Sequence, residues 1–353
     1  MKIAITADVH LTSRERNPER YHALENILQQ LVSLEIDHLI IAGDLFDSSC
    51  KNPAEFESLF QNDQFSKITV YIIPGNHDPM ITDGMFTSKN IHCITKPKLM
   101  ELAEKEKFLF IPYKSHASIG PVIMEGQYLL ETDKWVLIGH GDWLATNTPK
   151  NNYENDQYMP LSRGDLHMLK PKKVFLGHIH APYDSDMVLY PGSPCPLNPT
   201  ETGIRTFLLY DSTANLVERY KIENDKIFME IKITIVPIEN EGDLIHSLLD
   251  NHISSWRMPT ELMQKVTTRV IVQGYSSNRE VVQSTIEKAF QSKNLLLESR
   301  PDVTGLKLSG DLMRADIAIA VKQLILDLNL ENESDEPTTD DYVMEALNII
   351  YKG

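Results

Sequence analysis

The sequence has 353 residues, of which 42% are hydrophobic, and it carries a formal net charge of −16. A chain of this length and composition can bury one large core and a smaller second one, which excludes a mostly disordered protein. Affinity for a nucleic-acid backbone depends mainly on Lys and Arg, so the negative charge restricts any DNA binding to local cationic patches, metal ions or a partner protein.

The first two thirds of the chain alternate short apolar runs with amphipathic helical stretches, notably 18–34 and Pro53–Gln61, which predicts an α/β fold. Five of the apolar runs end in residues of the types that bind metal ions. In chain order, Lys2–Thr6 precedes Asp8 and His10, 38–41 precedes Asp44, 70–73 precedes Asn76 and His77, 135–138 precedes His140, and 174–176 precedes His178 and His180. Sites in open α/β sheets form beyond the carboxyl ends of the strands, so this pattern predicts one shared cleft.

The periodicity changes near residue 226. Strands are predicted over 229–235, 268–273 and 295–298, and helices over 241–254 and 278–291. An amphipathic helix over 313–328 follows, then an acidic, linker-like stretch over 332–341. A last helix is predicted to start at Thr338, with Asp341 in the position of a capping box. We therefore divide the chain into domains 1–225, 226–308 and 309–353.

The strand ends carry two carboxylates, four imidazoles and one amide. These are Asp8, Asp44, His10, His140, His178, His180 and Asn76. A pair of close divalent cations needs such a set, with one carboxylate bridging the two ions. Two divalent cations and two carboxylates leave a net charge of about +2, which favours an anionic substrate. Such ions also lower the pKa of water toward about 7 and can thereby supply hydroxide for hydrolysis.

Each motif has a structural alternative when it is taken alone. Asp-x-His at Asp8 occurs often by chance, and the Gly-Asp step at Asp44 and the G-N-H-D stretch at 75–78 are also typical of ordinary turns. The occurrence of all the motifs in this order, each after an apolar strand, favours a metal site over packing and turn formation.

Together the motifs resemble those of the calcineurin-like metallophosphoesterase superfamily, whose signature is D-x-H, G-D-x-x-D, G-N-H-[DE], G-H and G-H-x-H. The resemblance implies a two-sheet sandwich flanked by helices for the first domain. It also implies that one cation is held by Asp8, His10, Asp44 and His180 and the other by Asp44, Asn76, His140 and His178, with Asp44 as the bridge. His77 matches the family's catalytic histidine, which would donate a proton to the leaving oxygen or stabilise the transition state. Its structural alternative is to orient Asp78.

Residues outside the metal motifs indicate a branch of the superfamily. Protein phosphatases follow G-D-x-x-D with Arg-Gly and carry G-N-H-E, whereas here Asp47 is followed by two serines and the second motif ends in Asp78. The Y-P-G-S-P stretch at 190–194 and the small α+β domain at 226–308 look like the SbcD-type DNA repair nucleases, relatives of the Mre-type recombination nuclease. This resemblance implies a Mn²⁺-dependent DNA exonuclease and endonuclease, with Mg²⁺, Zn²⁺ or Fe as alternative ions, and a capping domain that directs DNA to the metals.

The same resemblance implies partners. An SbcC-type coiled-coil ATPase would dock on the helices of 309–353, and a homodimer within a heterotetramer would form through helices 18–34 and Pro53–Gln61. For helix 313–328 the alternative is packing on its own domain, whereas for the last helix a partner is the expected use. No apolar run has the length of a membrane span, no signal-peptide pattern is present, and the three scattered cysteines suit a reducing compartment. We therefore expect a cytoplasmic protein without membrane contact.

Cationic residues near the metal motifs are candidates for DNA contacts. They are Arg14, Arg16 and Arg20, Lys150 in a polar loop predicted over 146–160, and Arg163, Lys170, Lys172 and Lys173. Two other functions stay open. The negative charge favours a phosphodiesterase that acts on small molecules. A non-catalytic scaffold for a large ATPase is disfavoured by the complete motif set.

Overall fold

The structure, a computed structural model, describes residues 1–48, 53–102, 106–128, 130–145, 148, 156–328 and 338–352. These residues form two compact units. The first comprises Met1–Leu197 and Ile204–Asp225, and the second comprises Asn198–Gly203 and Lys226–Gly353. None of the described helices is both long and apolar enough to span a membrane.

Two six-stranded sheets flanked by helices make up the first unit. Its strands are β1 (Lys2–Thr6), β2 (His38–Ala42), β3 (Thr69–Ile73), β4 (Ile91–Cys93), β5 (Lys98–Leu102), β6 (Glu106–Ile111), β7 (Trp135–His140), β8 (Trp143–Leu144), β9 (Leu161–Ser162), β10 (Lys173–Gly177), β11 (Tyr183–Asp184), β12 (Val188–Tyr190), β13 (Thr206–Asp211) and β14 (Leu216–Lys221). Its helices are α1 (Pro18–Ser33), α2 (Pro53–Gln61), α3 (Ile119–Glu125) and α4 (Arg163–Leu169). The first sheet has the order β14-β13-β1-β2-β3-β4 and the second has the order β11-β12-β10-β7-β6-β5, while β8 and β9 pair separately.

The strands of both sheets place alternate side chains in different core layers, because successive side chains of a strand point to opposite faces. Ile40 of β2 lies in a central layer with Phe108 of β6 and Ile138 of β7, between the two sheets. Leu39 of β2 faces the other way and packs with α1 and α2, and Leu137 of β7 packs with α3 and α4. The predicted two-sheet sandwich flanked by helices is thereby confirmed.

The apolar faces of α1 and α2 pack against their own sheet. Tyr21, Leu24 and Leu28 of α1 and Phe56 and Phe60 of α2 are buried in the same layer as β2. These faces are therefore not available to form a dimer interface, and the predicted homodimer rests on the resemblance alone.

Parallel strands build the second unit. Its elements are β15 (Ile227–Ile235), α5 (Glu241–Ser255), α6 (Thr260–Met263), β16 (Val266–Ser276), α7 (Arg279–Ser292), β17 (Leu296–Leu297), β18 (Asp302–Leu308), α8 (Ala315–Asp327) and α9 (Thr339–Lys352). Strand β16 pairs in parallel with β15, β17 and β18. Parallel neighbours need a crossover connection, and α5 and α7 provide crossovers whose apolar side chains share a core with the sheet.

The last helix packs on strands and helices of its own unit. Val343 and Leu347 of α9 are 1% and 0% exposed and share a small core with β16 and α8. The predicted capping box is present, because the Asp341 N–H donates to Thr338 Oγ1 (3.3 Å) and the Thr338 N–H donates to Asp341 Oδ2 (2.8 Å). The expectation that the apolar side of this helix is kept for a partner is therefore wrong, because that side completes the core of its own unit. The acidic residues 332–337 lie outside the described residues.

Candidate metal centre

The loops that follow β1, β2, β3, β7 and β10 meet at one edge of the sandwich. Strands β1, β2 and β3 pair in parallel, as do β7 and β10, so their carboxyl ends point the same way. The Asp8 N–H donates to Gly43 O (3.1 Å), which ties the first two loops together. The His178 N–H donates to Asp8 Oδ1 (2.9 Å), which ties the first sheet to the second. The single cleft that the sequence predicts is therefore built by direct hydrogen bonds between its loops.

Four of the side chains at this edge are carried by backbone in the left-handed region. The φ angles of Asp8, His10, Asp44 and His178 are 54°, 50°, 51° and 98°. L-residues adopt positive φ uncommonly, and such strain persists where the surrounding structure enforces it, often at functional sites. The loops thus aim these side chains in directions that local conformational preference does not select.

Two glycines make room for the cluster. A Cβ added at Gly43, which has φ of +94°, would lie 2.0 Å from His140 Nδ1. A Cβ added at Gly75 would lie 2.1 Å from Asp44 Oδ1. The glycines of the G-D and G-N-H-D motifs are therefore required for the close approach of the functional side chains, and not only for turn formation.

The first predicted ligand set comes together around His10. Its Nε2 atom lies 3.2 Å from His180 Nε2 and 3.7 Å from Asp44 Oδ2. Ligand atoms of Asp8, His10 and His180 all lie within 4.8 Å of one another. The structure therefore brings all four side chains of this set together.

The second predicted ligand set comes together around Asn76. Its Oδ1 atom lies 2.8 Å from His140 Nε2 and 3.2 Å from His178 Nδ1. His140 Nε2 also lies 3.4 Å from Asp44 Oδ2, the same carboxylate oxygen that approaches His10. Asp44 therefore occupies the position between the two sets that a bridging ligand requires.

Differences in exposure divide the cluster into a floor and a rim. Asp8, His10, Asp44, His140 and His178 are at most 2% exposed. Asn76, His77 and His180 are half-buried. The His77 ring lies 4.7 Å from the His10 ring, and the main-chain N–H of His77 donates to Asp44 Oδ1 (2.8 Å). His77 therefore stands on the open side, where a substrate can reach it. Ligand atoms of His77, His10 and Asp44 also lie within 4.8 Å of one another, which is close enough for His77 to bind a metal ion.

Burial and neighbouring charges shift the pKa values of the floor residues in opposite directions. Burial lowers the pKa of His10 to about 3, so this imidazole is neutral at pH 7. Burial raises the pKa of Asp8 to about 6. Burial also opposes the charge on His140, but the Asp44 carboxylate, with which it interacts directly, outweighs burial and raises the pKa of His140 to about 9. In the protein without metal, His140 therefore holds a proton at neutral pH that a cation would displace.

The cluster fits a divalent cation. Asp8 Oδ2 is buried and accepts no hydrogen bond from the described residues, and an unsatisfied buried oxygen costs free energy that a bound ion would recover. Ligand atoms also lie within 4.8 Å of one another in the groups His10, Asp44, His77 and Asp8, Asp44, His140. These His and Asp groups are able to hold a metal ion.

Comparison with known proteins agrees with this geometry. The family model described as calcineurin-like phosphoesterase matches residues 1–182, which is more than half of the chain. This chain belongs to the calcineurin-like phosphoesterase family. Membership places it among the phosphoesterase hydrolases, whose fold binds divalent metal ions, and the His and Asp groups of the cluster are able to hold such ions.

Individual relatives match smaller parts. The chain is 25% identical over 280 residues to the uncharacterized metallophosphoesterase YhaO of Bacillus subtilis, covering 72% of this chain and 64% of YhaO. It is 33% identical over 88 residues to the DNA double-strand break repair protein Mre11 of Methanosarcina acetivorans and of Methanosarcina mazei, covering 22% of this chain and 14% of either relative. The matches thus span less than two thirds of each relative's length. A solved structure of a novel archaeal phosphodiesterase covers 63% of this chain and 99% of that chain, with 14% identity and a TM-score of 0.35.

Several of the cationic residues predicted to contact DNA interact with carboxylates of the first unit. The Arg14 guanidinium pairs with Glu25, and Arg20 lies 3.5 Å from Asp47 Oδ2. Lys172 Nζ donates to Glu106 Oε1 (2.9 Å). Arg16, Arg163 and Lys170 are exposed, whereas Lys173 is half-buried and donates to Asp186 O. Lys150 lies outside the described residues.

Two further carboxylates belong to the site. Asp78 accepts from the N–H groups of Gly75 (2.7 Å) and Phe46 (3.1 Å), so it fixes the turn that carries Asn76 and has no need of His77 to orient it. Asp142 Oδ1 lies 3.6 Å from His178 Nε2 and was missed by the sequence motifs. Its position two residues after His140, directly beyond the end of β7, is the signal that could have identified it.

Proposed function

We propose that this phosphoesterase is a DNA nuclease that hydrolyses phosphodiester bonds with two divalent cations. The observation that carries the two-metal assignment is Asp44 Oδ2, which lies 3.7 Å from His10 Nε2 and 3.4 Å from His140 Nε2 and so faces both ligand sets. Mn²⁺ suits the mixture of carboxylate, amide and imidazole ligands, with Mg²⁺, Zn²⁺ or Fe as alternatives. When bound, the two cations would neutralise phosphate oxygens and activate water.

The residues of the chain divide the remaining work. Asp8, His10, Asp44 and His180 would hold one cation, and Asp44, Asn76, His140 and His178 the other. His77 is half-buried on the rim. From there its imidazole would donate a proton to the leaving oxygen, a role that typically contributes about 10²–10⁴-fold to the rate.

DNA is proposed as the substrate on the strength of the similarity to the DNA double-strand break repair protein Mre11 and of the separate second unit. In this proposal residues 226–308 help direct DNA to the metals and helix α8 binds a coiled-coil ATPase. Helix α8 supports the second part, because Ile317 and Leu324 are 57% and 65% exposed.

A phosphodiesterase for small molecules is the second candidate. The net charge of −16 favours it, since extended DNA would meet a mostly anionic protein. The internal pairing of Arg14 and Lys172 favours it further, because their cationic groups are already engaged by carboxylates.

The two candidates separate when the purified protein is given Mn²⁺ and either an end-labelled duplex oligonucleotide or a small chromogenic phosphodiester. Cleavage of the oligonucleotide that disappears in Asp44→Asn, purified in parallel, is the result expected for the nuclease. Hydrolysis of the small diester with an intact oligonucleotide would instead support the second candidate. Two bound Mn²⁺ ions with no hydrolysis of either substrate would contradict both candidate functions and favour a non-catalytic scaffold.

A further inference from the structure

Asp142 presents a carboxylate to the side of His178 that faces away from the ligand cluster. His178 Nδ1 lies 3.2 Å from Asn76 Oδ1, within the second ligand set. His178 Nε2 lies 3.6 Å from Asp142 Oδ1. The two nitrogens of one imidazole therefore face two different groups, one in the proposed metal site and one behind it.

This arrangement selects one tautomer of His178. A ring nitrogen must be unprotonated to bind a cation, so the hydrogen of a neutral His178 that binds through Nδ1 must be on Nε2. There it points toward the Asp142 carboxylate, which favours it by electrostatic attraction. We propose that Asp142 is a positioning residue that fixes the tautomer and orientation of His178 and thereby strengthens the binding of one of the two cations. The inference rests on the two-metal centre of the proposed function.

Asp142 is itself held by main-chain hydrogen bonds. Its N–H donates to Tyr158 O (2.8 Å), and its Oδ2 accepts from the Tyr158 N–H (2.7 Å). One carboxylate oxygen is thus committed to the backbone while the other faces His178. The Tyr158 ring lies 4.9 Å from the His178 ring, which restricts the imidazole from a second side.

The backbone around Asp142 is braced by Tyr190. The Tyr190 hydroxyl donates to Gly141 O (2.8 Å) and accepts from the Trp143 N–H (2.7 Å), so it holds the residues on both sides of Asp142. Tyr190 is 0% exposed. The first residue of the Y-P-G-S-P stretch thereby has a physical role, which is to keep the Asp142 loop in place behind the metal site.

The test is the affinity of the protein for Mn²⁺, measured by calorimetry and by counting bound ions with electron paramagnetic resonance. Asp142→Asn keeps the shape of the side chain and an acceptor for the Tyr158 N–H, but it removes the charge behind His178. Loss of such an outer carboxylate typically lowers metal affinity about 10–100-fold, so we expect a loss of this size for one ion and an unchanged affinity for the other. Turnover should recover when Mn²⁺ is raised to saturation, because no residue that touches the substrate has changed.

Asp165→Asn is the matched control. Asp165 accepts the Ser162 N–H (2.8 Å) in the capping box of α4, so this change also removes one carboxylate charge and perturbs one main-chain hydrogen bond in the same unit. It should leave both Mn²⁺ affinities unchanged. Tyr190→Phe removes only the hydroxyl that holds the backbone of Gly141 and Trp143. It should lower the affinity for the same ion by a smaller factor than Asp142→Asn does, and it provides a second test if Asp142→Asn folds poorly.

A double-mutant cycle shows whether Asp142 acts through His178. His178→Ala should lower the affinity for the same ion, and adding Asp142→Asn to His178→Ala should cause no further loss of affinity. Full additivity of the two losses, or wild-type Mn²⁺ affinities in both Asp142→Asn and Tyr190→Phe, would overturn the inference while leaving the proposed function in place. If the unmodified protein binds fewer than two ions, the two-metal function fails and the inference fails with it.

Discussion

The two halves of the candidate metal centre are prepared for a cation in different ways. In the half that contains His140 and His178, each imidazole has a partner behind it. His140 Nδ1 donates to Ala42 O (2.9 Å), and His178 Nε2 faces Asp142 at 3.6 Å. In the half that contains Asp8 and His10, Asp8 Oδ2 is buried and accepts no hydrogen bond from the described residues. The imidazoles of one half therefore face fixed neighbours behind them, whereas the other half contains a buried carboxylate oxygen that accepts no hydrogen bond from the described residues.

The difference extends to protons. His140 has a pKa raised to about 9, whereas burial lowers the pKa of His10 to about 3. At neutral pH a cation that enters the His140 half must displace a proton, and a cation that enters the His10 half meets a neutral imidazole. Asp44 takes part in both halves, so it couples them. Two ions held by one shared carboxylate therefore need not bind with the same strength or the same dependence on pH.

The largest effect is expected from the residue that the two halves share. Asp44→Asn should reduce hydrolysis about 10⁴-fold or more, because loss of a bound cation removes several kcal/mol of transition-state stabilisation and each 1.36 kcal/mol is about tenfold in rate. Binding of both Mn²⁺ ions should weaken in calorimetry. Loss of only one ion in this variant would show that Asp44 belongs to one half and does not couple the two.

Glu57→Gln is the control for Asp44→Asn. Glu57 is another buried carboxylate of the first unit, and it accepts the Thr87 N–H (2.6 Å) away from the cluster. Its substitution should lower the midpoint of thermal unfolding and leave the number of bound Mn²⁺ ions unchanged.

A smaller loss is expected at the rim. His77→Ala should lower turnover about 10²–10⁴-fold, the usual contribution of a positioned proton donor, while both ions still bind. The measurement is steady-state kinetics at saturating Mn²⁺ together with the number of bound ions. His92→Ala serves as the control, since His92 is an exposed histidine of the same unit that stacks on Tyr71 (5.4 Å). Loss of an ion in His77→Ala would show that His77 is a ligand of the His10 half, which its place beside Asp44 would allow.

The order of the ligands along the chain could be predicted from the sequence, but the residues that hold the ligands in position could not. Motifs such as G-D at Asp44 and G-H-I-H at His178 follow apolar strands, and parallel strands bring their carboxyl ends to one edge. Asp142 was missed because its role depends on which nitrogen of His178 faces it, and a sequence motif does not specify the orientation of an imidazole ring.

The second unit shows the same limit in the fold. The strand β18 was not predicted, because its alternation is interrupted by Gly305 and its register with β16 shifts between Ile271 and Gln273. The apolar side of α9 was predicted correctly, but a periodic pattern describes one face of a helix and not what covers it. The acidic stretch before α9 suggested a tethered helix, whereas Val343 and Leu347 are buried in the core of the unit.

The pH dependence of metal binding tests directly whether the two halves of the centre differ. Between about pH 6.5 and pH 9 the metal-free protein holds a proton on His140, which competes with the cation. Raising the pH removes this proton and should increase the affinity for one ion by up to about tenfold per pH unit. The ion beside His10 should bind almost independently of pH over the same range, since that imidazole is already neutral and the Asp8 carboxyl, with a pKa of about 6, is largely ionised. Calorimetric titration of Mn²⁺ at several pH values in buffers of different ionisation enthalpy would measure both the affinities and the released proton. In His140→Gln the proton release near neutral pH should disappear, and two ions with equal pH dependence in the unmodified protein would show that the halves are not distinct.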